Sequence, residues 1–375
     1  MTNVLHTLIM KKSDTILFVL KLSKFKTTGF YTINTYVHNS ELIRTSLNTY
    51  FFLLYSVKYK NKILHKIFSL IKAIYYSVML VITMIRVKPK YVYFTISPSI
   101  AFVRDLLFVF LIKLFNTKQI YHIHGKGIYK NAHRNNFMLY LYNWAYRGSH
   151  LILLSEKLVY DVSFLPFKKY FIVPNAIRKD TKLLHYNKRF DQMPRIIFLS
   201  NIILSKGVLD FIESMKILDA RKVDFEAVIV GGKGDLDQVT LIKKIGVLSD
   251  KIKYLGPKYG DEKNKLLINS DIFIFPTYYP IETWGLVILE AMQAGLPVIT
   301  TNEGAITDMI EDGINGFIVE KKNPVQIAEK TSLLIGDPEL MEKMSENNRV
   351  KYENNFTLDI FEKRFLKTLE LILKS

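Results

Sequence analysis

The 375-residue sequence contains no cysteine, which excludes a disulfide framework, a thiolate zinc site and a cysteine nucleophile. Acidic residues are scarce in its first half. Residues 1–190 hold 29 Lys and Arg against 6 Asp and Glu, a net +23, whereas residues 191–375 hold 23 against 28, a net −5. A lysine-rich, AT-biased genome would raise Lys, Ile, Asn and Tyr throughout, so it accounts for the composition better than for the split. Dense cations on one half suit nucleic acid, anionic lipid or a phosphorylated substrate. A long uncharged apolar run is missing as well. In Ile63–Ile85 the longest such stretch is Ala73–Ile85, bounded by Lys72 and Arg86. It is shorter than the ~20 residues a spanning helix needs, so a buried or interfacial helix is expected there. Met1–Lys12 lacks an apolar core beside a small-residue cleavage site, so no secretory signal is expected.

What is present reads as globular and α/β. Hydrophobic residues make up 49% and charged residues 23%, which rules out a disordered chain, and the length suffices for two domains. Short β-rich runs alternate with helical stretches, the pattern of parallel sheets covered by helices on both faces. In the first half strands are expected at Ile16–Leu20, Tyr91–Ile96, Ile120–His124, Leu151–Leu154 and Tyr170–Val173. Helices are expected near Tyr31–Arg44, Ile63–Val87, Ile100–Phe115 and Asn136–Tyr146. The polar stretch Arg178–Pro194 reads as a linker. A second series follows, with strands at Arg195–Leu199, Phe225–Val230, Ile252–Leu255, Ile272–Phe275, Val298–Thr300 and Gly316–Val319. The tail from Pro338 reads as helix broken near Asn354–Thr357. The expected domains are 1–189 and 190–356, with a final helix over 357–375 that crosses back to the first domain.

The densest chemical signal is Pro280-Ile-Glu-Thr-Trp-Gly-Leu-Val-Ile-Leu-Glu-Ala-Met-Gln-Ala-Gly-Leu-Pro-Val-Ile-Thr300. Gly285 permits a close approach at a helix start, where the free N–H groups of Gly285, Leu286 and Val287 and the helix dipole favour a diphosphate. Glu290, five residues on, stands roughly 7–8 Å along the axis at about 1.5 Å per residue. A carboxylate at that distance accepts hydrogen bonds from a ribose diol. Glu282, on the other side of the phosphates, would face hexose hydroxyls.

This arrangement resembles the retaining glycosyltransferases of family 4, whose two glutamates are separated by seven residues. Downstream, Asn302-Glu-Gly-Ala-Ile-Thr-Asp308 and Glu311-Asp-Gly-Ile-Asn-Gly-Phe-Ile-Val319 look like the family's continuation. Upstream, Tyr254-Leu-Gly-Pro257, Ser270-Asp-Ile-Phe-Ile-Phe-Pro276, Phe198-Leu-Ser-Asn-Ile-Ile-Leu-Ser-Lys-Gly207 and Val173-Pro-Asn-Ala-Ile177 occur in the family's order. The resemblance covers about residues 150–320 firmly and the first 150 loosely. It implies a GT-B fold: two Rossmann-like domains whose parallel sheets face a central cleft. It also implies a catalytic set of Glu282, Lys206 and His124. Lys206 would neutralise the departing diphosphate, and His124 resembles the family's cleft histidine, which contacts the transferred sugar. Donor binding would fall to Asn201, Gly256, Thr283, Trp284, Gly285, Leu286, Glu290 and Gly29. Two departures stand out: Asn201 replaces the arginine the family usually has five residues before the lysine, and Gly29 is single where the family usually has a pair of glycines.

Three further features read differently. His122 and His124 alternate onto one side of a strand, yet no carboxylate or third ligand lies near them for a metal. Asp235-Leu-Asp237 matches a metal-holding Asp-x-Asp pattern of another glycosyltransferase fold, but reads better as a helix start. Gly231-Gly-Lys-Gly234 follows a strand without the full phosphate-loop spacing, and could line a nucleotide pocket.

The resemblance therefore implies a retaining, metal-independent hexosyltransferase, with a nucleoside-diphosphate sugar as donor and no cofactor. Bacterial surface polysaccharide biosynthesis is the expected setting, with a lipid-linked or saccharide acceptor. The competing readings are a non-catalytic basic protein that binds membrane or nucleic acid, and a sugar epimerase or phosphorylase of the same fold. No nucleic-acid recognition motif is present. Lys58, Lys60, Lys62, Lys66 and Lys72, with Ile67, Leu70 and Ile74, are expected to hold a cytoplasmic protein at the inner face of the membrane.

Overall fold

Runs such as Ile16-Leu-Phe-Val-Leu-Lys-Leu22 and Tyr91-Val-Tyr-Phe-Thr-Ile96 have no polar alternation, because they form strands buried on both faces. The computed structural model describes residues 14–23, 29–55, 62–98, 102–184, 193–246 and 250–375, without the side chains of 62–67. The chain divides into two compact units, Met1–Asn175 with Phe361–Ser375, and Ala176–Ile360.

In the first unit the strands are β1 (Ile16–Leu22), β2 (Thr49–Tyr55), β3 (Tyr91–Ile96), β4 (Lys118–Ile123), β5 (His150–Leu153) and β6 (Lys169–Ile172). Its helices are α1 (Gly29–Asn39), α2 (Glu41–Ser46), α3 (Lys62–Val87), α4 (Phe102–Leu114), α5 (Ile128–Ala132) and α6 (Asn136–Tyr146). The second unit opens with α7 (Thr181–Leu184). It continues through β7 (Arg195–Leu199), α8 (Val208–Ala220), β8 (Glu226–Val230), α9 (Gln238–Ile245), β9 (Ile252–Tyr254) and α10 (Gly260–Ile268). It then runs through β10 (Ile272–Phe275), α11 (Leu286–Gln293), β11 (Val298–Thr301), α12 (Ile306–Met309), β12 (Gly316–Val319), α13 (Pro324–Gly336) and α14 (Pro338–Asn355). The last helix is α15 (Leu358–Leu373).

Each unit holds a six-stranded sheet, in the orders β2-β1-β3-β4-β5-β6 and β12-β11-β10-β7-β8-β9, and every strand pair is parallel. The first order reverses between β1 and β3, the second between β7 and β10. At those switch points the following loops diverge and leave a crevice beyond the carboxyl ends of the strands.

Four features differ from the sequence reading. The run Thr49–Tyr55 is an edge strand that pairs with β1, and its mixed exposure hides it from a search for buried runs. The helix expected over Tyr31–Arg44 is two helices, because Ser40 turns the chain and its hydroxyl accepts the Ile43 N–H. The boundary falls after Asn175 rather than Arg189, since Ile177 bridges to Thr357 and its carbonyl accepts the Tyr352 hydroxyl. The fourth concerns α3. With Lys72 and Arg86 tolerated, its stretch Phe68–Val87 is long and apolar enough to cross a membrane, and only 17% of that stretch is buried.

A buried ion pair closes the first unit's switch point. Lys21, near the end of β1, lies 2.6 Å from Asp105 of α4, whose Oδ2 also accepts the Ser97 N–H. Burial lowers the Lys21 pKa, and Asp105 opposes that shift. Asp105→Ala leaves an uncompensated buried ammonium and is expected to cost about 3–5 kcal/mol in urea unfolding, while Lys21→Met/Asp105→Leu recovers most of the loss.

Candidate active site

In the second unit, the two strands at the switch point feed the two halves of one site. Beyond β7 the chain makes a single 3-10 turn at Leu204–Lys206 and enters α8 through Gly207. Gly207 has φ 83°, and a Cβ there would overlap the Pro276 carbonyl oxygen, so only glycine lets this turn lie against the end of β10. The Tyr278 N–H donates to Ser205 O at 2.8 Å and ties the loop after β10 to the same turn. On its other side that loop packs on Gly304, where a Cβ would overlap the carbonyl oxygens of Glu282 and Thr283, and the Ala305 N–H donates to Thr283 O.

This packing places Lys206 Nζ 3.3 Å from Glu282 Oε2. The ammonium also stands over the rings of Phe275 and Tyr279, at 5.6 and 5.4 Å. It is mostly screened from water and held by π-faces and one carboxylate. After Glu282, Gly285 adopts a left-handed backbone (φ 73°) and opens α11. Ile288, Leu289, Ala291 and Met292 anchor the helix in the core, while Leu286, Val287 and Glu290 share its partly open face. Glu290 Oε1 is 2.8 Å from Lys263 Nζ of α10. Both candidate carboxylates are therefore paired with lysines. Asn201 is exposed, with its side-chain amide oxygen near Gly232, and the Gly231 N–H donates to Gly256 O, so Asn201 and Gly256 border one glycine-rich loop.

At two second-unit positions the side chain is turned away from any ligand. The Trp284 side chain is buried, packs edge-on against Phe356 with ring centroids 5.9 Å apart, and so belongs to the core. Only its main chain remains for a ligand. Thr283 is buried too, and its hydroxyl donates to Ile281 O. Asp235 accepts the Leu204 N–H, and Asp237 caps α9 through Thr240.

His124 and Gly29 lie in the first unit. Gly29 is the first residue of α1, and residues 24–28 before it lie outside the described residues. Its neighbour Phe30 meets the His124 ring edge-on at 5.8 Å, so the structure brings these two positions together. His124 Nδ1 donates to Asn175 Oδ1 at 3.2 Å, which leaves Nε2 as an acceptor with no protein partner. Burial brings the His124 pKa down to about 4, against the opposing Asn175 bond. His122, ring centroid 3.9 Å away, is fully buried against Tyr93 and Phe365, and burial holds it neutral as well. Neither is a cation at neutral pH.

Residues 181–351 match the family model of glycosyl transferases group 1. The second unit is a glycosyl transferases group 1 domain. Over 178 residues, 47% of this chain and 45% of the relative, the sequence is 30% identical to the capsular polysaccharide biosynthesis glycosyltransferase CapM of Staphylococcus aureus. Over 212 residues, 56% of this chain and 52% of the relative, it is 27% identical to the N,N'-diacetylbacillosaminyl-diphospho-undecaprenol alpha-1,3-N-acetylgalactosaminyltransferase of Campylobacter jejuni. The matches thus span about half the length of these curated relatives. The whole fold is that of GT-B glycosyltransferase structures. A Rickettsia africae glycosyltransferase superposes with a TM-score of 0.69 at 18% identity, covering 96% of this chain and 99% of that one. Anabaena HepE in complex with UDP gives 0.67 at 16%, covering 95% and 99%.

In the group 1 domain Lys263 carries no motif, and only the folded chain brings it to Glu290. Asn175 was visible within Val173–Ile177, but its bond to His124 needed the fold.

The lowered pKa of His124 sets a pH dependence. Below about 6.5 the unfolded chain binds a proton that the folded one refuses until about 4, so this contribution is complete above that window and shrinks as pH falls through it. Going from pH 7 to pH 5 is expected to cost roughly 2 kcal/mol through this group. Denaturant unfolding at the two pH values measures the loss, and His124→Gln narrows it by about that amount.

Proposed function

We propose that this chain is a glycosyltransferase that moves a hexosyl group from a nucleoside-diphosphate sugar to an acceptor hydroxyl, with retention, in bacterial surface polysaccharide synthesis. The observation that carries the reading is the meeting of Lys206 and Glu282 at the switch point, beside the Gly285 start of α11 and Glu290. In the transfer, the bond between the anomeric carbon and the diphosphate oxygen breaks while the acceptor oxygen bonds to that carbon on the same face. The acceptor proton leaves with the diphosphate. Lys206 and the N–H groups at the start of α11 take up the charge that grows on the leaving group. Glu290 holds the ribose diol, Glu282 the hexose hydroxyls, and neutral His124 accepts from a sugar hydroxyl through Nε2. Capsule synthesis by one relative and a diphospho-undecaprenol substrate in the name of another support a saccharide or lipid-linked acceptor. The UDP bound to Anabaena HepE supports a nucleoside-diphosphate donor. On this reading the cations are side chains and backbone dipoles, so the reaction needs no metal or other cofactor.

A thermal-shift screen of nucleotide sugars identifies the donor, because a ligand bound to the folded state raises stability by mass action. With that donor, Glu290→Ala is expected to raise KM ten- to a hundredfold, the loss of a charge-assisted contact worth roughly 1.5–3 kcal/mol. Lys206→Ala is expected to lower kcat by about 10²–10³ with a smaller change in KM, since the charge it meets develops in the transition state. Wild-type kinetics in both variants would remove this site assignment. Labelled acceptor separates transfer from epimerisation or phosphorolysis. Activity is expected to survive a chelator, and loss restored by manganese would return attention to Asp235 and Asp237.

A further inference from the structure

We infer that the outer face of α3, α4 and α6 is a docking surface for an anionic lipid bilayer, on which the first unit lies without being spanned. The sequence gives this task to five lysines together with Ile67, Leu70 and Ile74, but Lys58 and Lys60 lie outside the described residues, as do the side chains of Lys62, Lys66 and Ile67. The structure points to a wider surface. On α4, Phe102, Val109 and Ile112 face the core, and Leu107, Phe110 and Leu114 repeat at helical spacing on the opposite side, exposed by 42%, 49% and 64%. A helix apolar on both faces has no reason to present the second face to water. On α3, Leu70, Ile74 and Val78 make a similar exposed row while Leu80 and Met84 are buried in the core cluster. The helices pack side by side, α3 on α4 and α4 on α6, so the rows form one surface. The exposed Tyr140 and the half-buried Trp144, whose ring lies 6.4 Å from that of Phe110, extend it with the amphipathic rings that suit a membrane interface.

Charge selects the occupant. Between Glu41 and Glu156 the sequence has sixteen Lys and Arg and a single acid, Asp105. That acid is buried against Lys21, so α3, α4 and α5 expose cations, α6 carries no charge, and none of the four exposes a carboxylate. Arg86, Lys88 and Arg104 are among the exposed cations. A groove of about 340 Å³ opens between the ends of α3 and α4, lined by Met84, Ile85, Lys88, Pro89, Phe115 and Thr117. A second copy of this chain would set the same cations against each other across a two-fold interface. An anionic bilayer meets both features, with apolar side chains entering the acyl boundary and cations meeting headgroups. Phe68–Val87 has the length to span, but Leu80 and Met84 are committed to the core of the first unit, and that holds α3 along the surface.

Flotation of the full chain with vesicles tests this without donor or acceptor, so its outcome is independent of the transferase reading. The expected result is binding to mixed phosphatidylglycerol–phosphatidylcholine vesicles, weak binding to phosphatidylcholine alone, and steep weakening with salt. Leu70→Ser/Ile74→Ser and Leu107→Ser/Phe110→Ser are each expected to lower the partition coefficient at least about tenfold. Neutralising Arg86, Lys88 or Arg104 to Gln lowers it about fivefold per residue. All these positions are exposed, and circular dichroism with thermal unfolding checks that each variant keeps the wild-type fold. No binding to the anionic vesicles, equal binding to both lipids, or unchanged binding in the serine variants overturns the inference. Binding that ignores salt and yields only to detergent overturns it in favour of a span. A concentration-dependent dimer that the serine variants abolish overturns it in favour of self-association.

Discussion

Six strands running in one direction discharge their loops at a single edge, and this constraint underlies the chemistry of the second unit. Lys206 and Glu282 are far apart in sequence, yet β7 and β10 are neighbours whose loops depart in opposite directions. The two side chains meet because the strands that carry them are hydrogen-bonded partners. The closeness of Gly207 to Pro276 and of Gly304 to the Glu282 carbonyl then sets how tightly the two loops converge. An antiparallel partner at this position would send one of those loops to the opposite edge.

The ion pairs at this edge give the resting site a particular electrostatic character. Each carboxylate is already matched, Glu282 by Lys206 and Glu290 by Lys263, so neither is an isolated charge in a partly buried place. For the transfer proposed above, a diphosphate competes with Glu282 for Lys206, and sugar hydroxyls offer the carboxylate new donors in exchange. Charges are swapped between partners rather than stripped of all compensation, which moderates the desolvation cost of assembling the complex.

The α/β architecture was legible because parallel strands announce themselves. All six strands of the second unit were legible, from runs such as Ile272–Phe275 and Val298–Thr300, the latter extended by one residue in the structure. In the first unit β2 escaped, since an edge strand shares its pattern with a half-exposed loop. The glutamate motif around α11 stood out through its dense sequence context, which also drew in Trp284, a residue that the fold spends on packing. Lys263 could not be read, because a lysine on a polar helix looks the same whether it meets water or a carboxylate. The apolar outer face of α4 was hidden for a related reason. Composition shows that a helix is hydrophobic, while only the packed structure shows which of its sides has been left without neighbours.

The return of the chain to the first unit has a consequence for the order of assembly. Phe365, Leu369 and Ile372 of α15 are fully buried, and Phe365 lies against Tyr93 and His122 in the first unit's sheet. During synthesis that sheet must therefore wait, one strip of its core missing, while the ribosome makes nearly two hundred further residues. The second unit, drawn from the uninterrupted stretch Ala176–Ile360, has every residue it needs before α15 is complete. Vectorial folding is thereby inverted: the part translated later can close first, and the part translated first is sealed by residues that emerge after the second unit.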